Sequence, residues 1–209
     1  LDLIGLDLRI LLKHIFYTIE YNMPYIPTDE YGFTKEDRLK YAPYAVDYLI
    51  NNEDISYLGD LTFEDGSPLY NERELSHMED VKEVIKGSLT VWYITLAILF
   101  ILFVTAYKLN WLHDYFNALR RGGWWMIGLA LSLAFVAGAG ILLNPDIFWT
   151  FFSGFHAIFF EGDSWLFYYS DTLIRLFPIR FWQDAVIAIA VIALGGGLGL
   201  AFGLRKFIQ

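Results

Sequence analysis

The chain has 209 residues, of which 56% are hydrophobic, 19% aromatic and 19% charged. That apolar share exceeds the roughly 45–50% usual for soluble domains and excludes a water-soluble globule, a disordered chain, collagen and a coiled coil. Its net charge of −9 is concentrated in residues 15–87, whose 16 acidic and 6 basic side chains leave +1 for the remainder; an acidic surface repels phosphate backbones, which excludes nucleic acid as a partner.

Leu1 to Lys13 is apolar but interrupted by Asp2, Asp7 and Arg9. It is too short to cross a bilayer unaided, since about 20 residues are needed for roughly 30 Å of hydrocarbon. Residues 1–14 are therefore expected to be the outer end of a first transmembrane helix or an interfacial segment, with a cleaved signal peptide as the alternative. Residues 15–87 read as an acidic extracellular cap. Thr34 and Asp37 form a capping-box pattern that opens a helix running toward Asn51, bent near Pro43. Leu61–Phe63 and Leu69–Tyr70 flank Asp65-Gly66 as the arms of a small hairpin. Asn71, with Glu74 three residues on, caps a helix over Glu72–Lys86 that leads into the first complete span. With few large aliphatic clusters, the cap is expected to need the membrane domain to complete its core.

Three runs, Leu89–Tyr107, Trp124–Leu143 and Ala185–Leu204, have the length a bilayer demands and contain no Asp, Glu, Lys, Arg or His. Transporters and proton pumps usually place ionisable groups at membrane depth, so charge-free spans argue against that class. Gly195, Gly196, Gly197 and Gly199 read as allowing close helix packing, since no Gly-Lys-Ser/Thr follows them to make a phosphate loop. Lys108, Arg120 and Arg121 lie between the first two runs, and Arg205 and Lys206 follow the third. Basic residues favour the cytoplasm, so the cap and residues 144–182 face outward together; Arg175 and Arg180 oppose this and are outnumbered. The expected fold is a mainly α membrane protein, a transmembrane helix bundle of four spans, three of them complete in this chain, with a small mixed extracellular cap. Its segments are a helix over 88–108, a cytoplasmic loop over 109–122, a helix over 123–143, an aromatic-rich interfacial segment over 144–183, and a helix with a cytoplasmic tail over 184–209.

This topology sorts the four histidines. His77 and His156 fall at the outer membrane surface, His113 falls in the cytoplasmic loop, and His14 sits at the ragged beginning. The absence of cysteine excludes a disulfide framework, a thiolate nucleophile and a Cys-ligated zinc site, leaving His77 and His156 as the best general acid-base groups near neutral pH. Glu74 and Asp80 stand three residues to either side of His77, where a carboxylate could orient the ring. His156 lies in Phe148–Phe160, where six of thirteen residues are Phe and another is Trp149. That stretch is too short to span and is expected along the interface. Beyond it, Asp163 or Asp171 could orient His156, Trp165 adds another ring, and Arg175 could pair with Asp171 at i,i+4. Structural hydrogen bonding and ordinary surface pairing are the bland alternatives for all these groups. No Gly-x-Ser-x-Gly elbow occurs, which leaves a Ser-His dyad through Ser76, Ser153 or Ser164 and a zinc site on His77, His156 and a carboxylate as lesser readings.

The run Asn71-Glu72-Arg73-Glu74-Leu75-Ser76-His77-Met78-Glu79-Asp80-Val81-Lys82, followed by Phe155-His156, Gly162-Asp163-x-Trp165 and Asp171-Thr172-Leu173-Ile174-Arg175-Leu176-Phe177-Pro178, resembles the bacterial lipoprotein intramolecular transacylase family, Lit. The resemblance extends from about residue 15 over nearly the whole chain and departs from the family at Leu1–Lys13, which does not fully supply a first transmembrane helix. It implies a four-helix protein of the bacterial cell membrane with an extracellular cap and two catalytic histidines, at positions His77 and His156, where cap meets membrane. It also implies a reaction in which the sn-2 acyl chain of a diacylated lipoprotein moves to the α-amino group of its N-terminal cysteine, giving a lyso-form lipoprotein. The partners are then the lipoprotein substrate and membrane lipid, with no cofactor and no metal. A non-catalytic membrane assembly or sensor module is the rival from another class, and a lipid hydrolase or intermolecular acyltransferase the rival within the enzymes.

Overall fold

The structure, a computed structural model, describes residues 14–207; the segment Leu1–Lys13, where a first span or interfacial element is expected, lies outside them. The helices are α1 (His14–Tyr21), α2 (Lys35–Ile50), the single turn α3 (Ser56–Gly59), α4 (Glu72–Lys108), α5 (Leu112–Leu142), α6 (Pro145–Phe159), the short α7 (Thr172–Leu176) and α8 (Ile179–Leu198). A π-helical turn, Gly199–Gly203, and a 3-10 turn, Leu204–Phe207, continue α8. The described residues divide into two compact units, a polar one over 14–87 and 149–183 and an apolar one over 88–148 and 184–207.

In the polar unit, α2 begins where the sequence places it. The Thr34 hydroxyl accepts from Asp37 N at 3.0 Å, and the Asp37 carboxylate accepts from Thr34 N at 2.8 Å, which satisfies two backbone donors the first turn would leave unpaired. The helix continues through Pro43 to a C-cap at Asn51. There Lys82 of α4, itself buried, donates to the Asn51 side chain and to Glu53 O at 2.6 Å, tying α4 to the end of α2. The expected hairpin is reduced to one antiparallel bridge, Thr62 to Pro68, closed by Phe63 N to Ser67 O and Leu69 N to Leu61 O, each 2.9 Å. Pro68 has no N–H to extend a ladder, so the turn at Gly66 (φ +83°) holds a loop instead of a pair of strands.

This unit is built around an aromatic core. Tyr17, Tyr21, Phe33, Tyr41, Tyr48 and Tyr70 are all buried together with Leu58, Leu69, Met78, Leu176 and Phe181. Aromatic side chains, each burying about 150–250 Å², do the work a count of aliphatic residues misses.

The apolar unit has the reverse distribution of size. Its buried positions are mostly small, Ala106, Ala130, Ala137, Ala139, Ala185, Ala190, Ala193 and Ala201, while Phe100, Trp125 and Phe135 are more than half exposed. Small residues let helix backbones approach where no water drives association, and large ones face lipid. A Cβ at Gly123 of α5 would lie 2.8 Å from Gly197 O and from Ala201 N, so these helices cross backbone to backbone. Of the glycine run, Gly197 serves that contact, whereas Gly195 and Gly199 face open space. Among the described residues, three helices are long and apolar enough to cross a membrane: Glu72–Lys108, Leu112–Leu142 and Ile179–Gly203. The first is one unbroken helix, whose spanning part is the charge-free run 89–107; residues 72–87 precede it and belong to the polar unit. The loop expected over 109–122 is mostly helical, since α5 begins at Leu112 after a turn in which Asn110 adopts φ 60°.

Candidate active site

The amino-terminal part of α4 carries His77, and its placement begins with Glu74. Glu74 is 1% exposed. One carboxylate oxygen accepts from Asn71 N at 2.9 Å while Asn71 Oδ1 accepts from Glu74 N at 3.0 Å, the reciprocal cap read in the sequence. Its other oxygen accepts from Leu173 N at 2.7 Å, in the first turn of α7. Burial raises its pKa against the opposing pull of these backbone donors. Glu74 therefore anchors two helix starts and does not orient His77, and Asp80 is exposed and makes no described bond to the ring.

His156 sits on α6, whose start is favoured by Pro145 at its first position and by Asn144 accepting from Asp146 N at 2.9 Å. Its Nδ1 lies 2.7 Å from Phe152 O one turn earlier. A carbonyl only accepts, so Nδ1 carries the proton and Nε2 is left as the acceptor. The orienting group expected from Asp163 or Asp171 is thus a backbone carbonyl. Asp163 is exposed, and Asp171 accepts from Tyr168 N at 2.9 Å and from the Asn71 side chain at 3.2 Å. Arg175 turns away from Asp171 and pairs with Asp29 at 3.3 Å, donating also to Tyr31 O at 3.0 Å. These two charges, 13% and 6% exposed, pin the loop before α2 to α7.

The two histidines, 79 positions apart in sequence, lie with ring centroids 6.2 Å apart and planes 22° from parallel. Aromatic walls surround them. Phe160 and Phe167 stand 4.8 and 5.3 Å from His77, and Phe152 and Trp165 stand 4.1 and 4.7 Å from His156. Trp149 and Trp182 extend the wall through Trp165 and Phe152. His77 is 8% exposed, and its Nδ1 is buried without a hydrogen-bond partner. Burial, helped by the neighbouring His156, pushes the His77 imidazole down to about 4; burial also lowers His156, while its bond to Phe152 opposes that shift. Both rings are accordingly neutral near pH 7.

The other histidines do different things. His14 faces Asp47 at 2.7 Å, and His113, exposed on the first turn of α5 in the other unit, lies 3.3 Å from the Asn117 side chain. Ser153 donates to Trp149 O at 2.6 Å, Ser76 is exposed, and Ser164 Oγ is buried without a partner, so none of the three is seen bonded to a histidine. Among the described residues no group of three His, Asp or Glu side chains could hold a metal ion. Phe160 belongs to the Phe-rich segment read around His156, whereas sequence reasoning missed Phe167 as a wall and the Phe152 carbonyl as orienter. The last was within reach, since His156 follows Phe152 by four residues in a segment read as interfacial, and that spacing stacks the two on one helical face.

A family model described as lipoprotein intramolecular transacylase Lit matches residues 3–182. An uncharacterized protein of Aquifex aeolicus (strain VF5) is 32% identical over 209 residues, covering 99% of this chain and 90% of that protein. Among solved structures, the membrane integral lipoprotein intramolecular transacylase Lit from Bacillus cereus superposes with a TM-score of 0.70 at 24% identity, covering 99% of this chain and 88% of that one. With the family model matching well over half of its length, this integral membrane chain belongs to the Lit family of lipoprotein intramolecular transacylases.

Proposed function

We propose that this chain transfers the sn-2 acyl group of a diacylglyceryl-modified lipoprotein to the α-amino nitrogen of the same molecule's N-terminal cysteine, leaving the lyso-form. The observation that carries the reading is the histidine pair, 6.2 Å apart inside aromatic walls, with His156 Nδ1 committed to Phe152 O, which leaves Nε2 to act as base.

The nitrogen lone pair adds to the ester carbonyl carbon, forming the C–N bond and moving the carbonyl electrons onto oxygen. His156 Nε2 takes the proton released from nitrogen. The intermediate then collapses, the bond from carbon to the sn-2 oxygen breaks, and the imidazolium returns its proton to that oxygen. An ester and an amine become an amide and an alcohol, with no acyl-enzyme and no water consumed. His77, whose burial disfavours an imidazolium, serves best as a neutral N–H donor toward the reacting oxygens.

Ring closure runs through nitrogen, Cα, Cβ, sulfur, two glyceryl carbons, the ester oxygen and the carbonyl carbon. A flexible lipid seldom samples that eight-membered arrangement, so confinement is the main catalytic demand, and orientation of this kind supplies several kcal/mol. The cluster of aromatic rings, Phe152, Phe160, Trp165 and Phe167, around the two histidines suits the task. The polar unit is assigned to the outer face as an extracellular cap, on the basic residues Lys108, Arg120, Arg121 and Arg205 flanking the spans. Mass analysis of a reporter lipoprotein from cells with and without this chain tests the proposal. A lyso-form N-terminus that depends on the chain is expected, and an unchanged lipid form would favour the assembly or sensor module.

A further inference from the structure

We propose that the indole N–H of Trp165 is a catalytic hydrogen-bond donor to the carbonyl oxygen of the migrating acyl group, holding the negative charge that develops as nitrogen adds. This assignment rests on the transacylase reading above and deepens it.

Trp165 Nε1 is buried and has no hydrogen-bond partner. A buried tryptophan N–H nearly always has an acceptor, because an unpaired buried donor costs about 1–3 kcal/mol. Here the orphan donor belongs to a ring whose centroid is 4.7 Å from that of His156 and whose plane is tilted 34° to it. Packing alone does not account for it, since a phenylalanine would stack against Phe152 and His156 with no stranded donor.

Acyl transfer needs more than a base. As the C–N bond forms, charge accumulates on the carbonyl oxygen, and a fixed donor in a site with little water is worth more there than in solution. His77, already placed as a donor toward the reacting oxygens, stands farther from the base, 6.2 Å between ring centroids against 4.7 Å for Trp165, and the remaining donors nearby are committed or differently placed. The Arg73 guanidinium donates to Leu166 O at 2.6 Å and lies over Tyr168, and the His156 Nδ1 proton goes to Phe152 O. Ser164 also has a buried hydroxyl without a partner, but no described contact sets it against either imidazole. Trp165 is thus the unpaired N–H whose ring touches the base. Loop 160–171 that carries it has a turn at Gly162 (φ +57°) and a bond from Tyr168 N to Asp171, and the indole packs against the rings of Trp149, Phe152 and His156. The donor keeps its proton throughout; it lends a hydrogen bond to the oxyanion and gives it up when the carbonyl reforms.

The test uses the full chain in lipid bicelles with a synthetic diacylglyceryl lipopeptide. Trp165 is replaced by Phe, and separately by benzothienylalanine, an isostere in which sulfur stands where the N–H was. Both replacements should lower kcat by about 10²- to 10³-fold with little change in KM or melting temperature. A benzothienyl protein that works at the wild-type rate would overturn the assignment, whether or not Trp165→Phe folds, because the ring would then be sufficient. A loss that falls on KM alone would overturn it too, since that is ground-state packing. A wild-type protein that leaves the lipopeptide unchanged would instead sink the transacylase reading, and the donor with it.

Discussion

His77 and His156 illustrate how an environment sets what a side chain does. Both rings are desolvated, yet one is oriented by a carbonyl and the other has an unpartnered Nδ1, so the two imidazoles have different ring atoms committed. Replacing either with Ala should leave the protein folded and lower transacylation by about 10²- to 10⁴-fold. The double variant should be hardly worse than the weaker single, because groups acting on one transition state are not additive. Product quantified by mass spectrometry against protein level checks this, and near-normal product from both single variants would remove the histidines from the mechanism. The depressed pKa of His77 gives a second expectation. Its unfolded form gains a proton near the ordinary value of 6.5, while the folded form resists until about 4. Stability should therefore be complete above 6.5 and decline as pH falls between those two values. Imidazole carbon shifts followed by NMR should keep His77 neutral at pH 5.5, and a midpoint at 6.5 would contradict its burial.

Among the elements, the helix starts were legible and the turns between them less so. Thr34 and Asp37, and Asn71 and Glu74, cap their helices as their spacing predicts, because both partners lie within one turn and need nothing distant to form. What failed at this scale failed through partners far away in sequence. The spacing of Glu74 makes it a companion of His77, but Leu173 N holds it, and the spacing of Arg175 makes it a partner of Asp171, but Asp29 holds it. Likewise the hairpin expected around Asp65-Gly66 lacks strands because Pro68, with no N–H, stands at the entry to its second arm. The glycine run of α8 reads as a packing surface, and Gly197 meets Gly123 there. A methyl group at Gly123 would meet backbone, which cannot swing aside as a side chain can. Gly123→Ala should destabilise the apolar unit by about 1–3 kcal/mol, whereas Gly195→Ala, facing open space, should be nearly neutral. Thermal unfolding in detergent compares the two, and equal melting temperatures would contradict the close crossing.

For the whole molecule, the sequence separates a polar, acidic part from an apolar one, and the fold keeps that division. Composition alone could not reveal that the polar part has its own core, since Tyr and Phe carry it and a tally of Leu, Ile and Val passes over them. The histidine pair is legible through the topology and the family resemblance, which set His77 and His156 at one surface, whereas their 6.2 Å separation is a property of tertiary packing and not of either segment. The orientation proposed from Lys108, Arg120, Arg121 and Arg205 predicts that a cysteine at Asp65 labels with an impermeant reagent from outside intact cells and that one at Asn117 does not. The reverse pattern would put the histidines on the wrong side for a secreted lipoprotein. The central claim is transfer within one substrate molecule, and a crossover measurement addresses it directly. Purified protein would receive a mixture of two lipopeptides of different peptide mass, one of them bearing an isotope label in its sn-2 acyl chain. The account predicts that the label moves to the amine of the molecule that carried it, with no labelled amide on the other peptide and no free fatty acid. Label on the second peptide, or its release as fatty acid, would contradict the account.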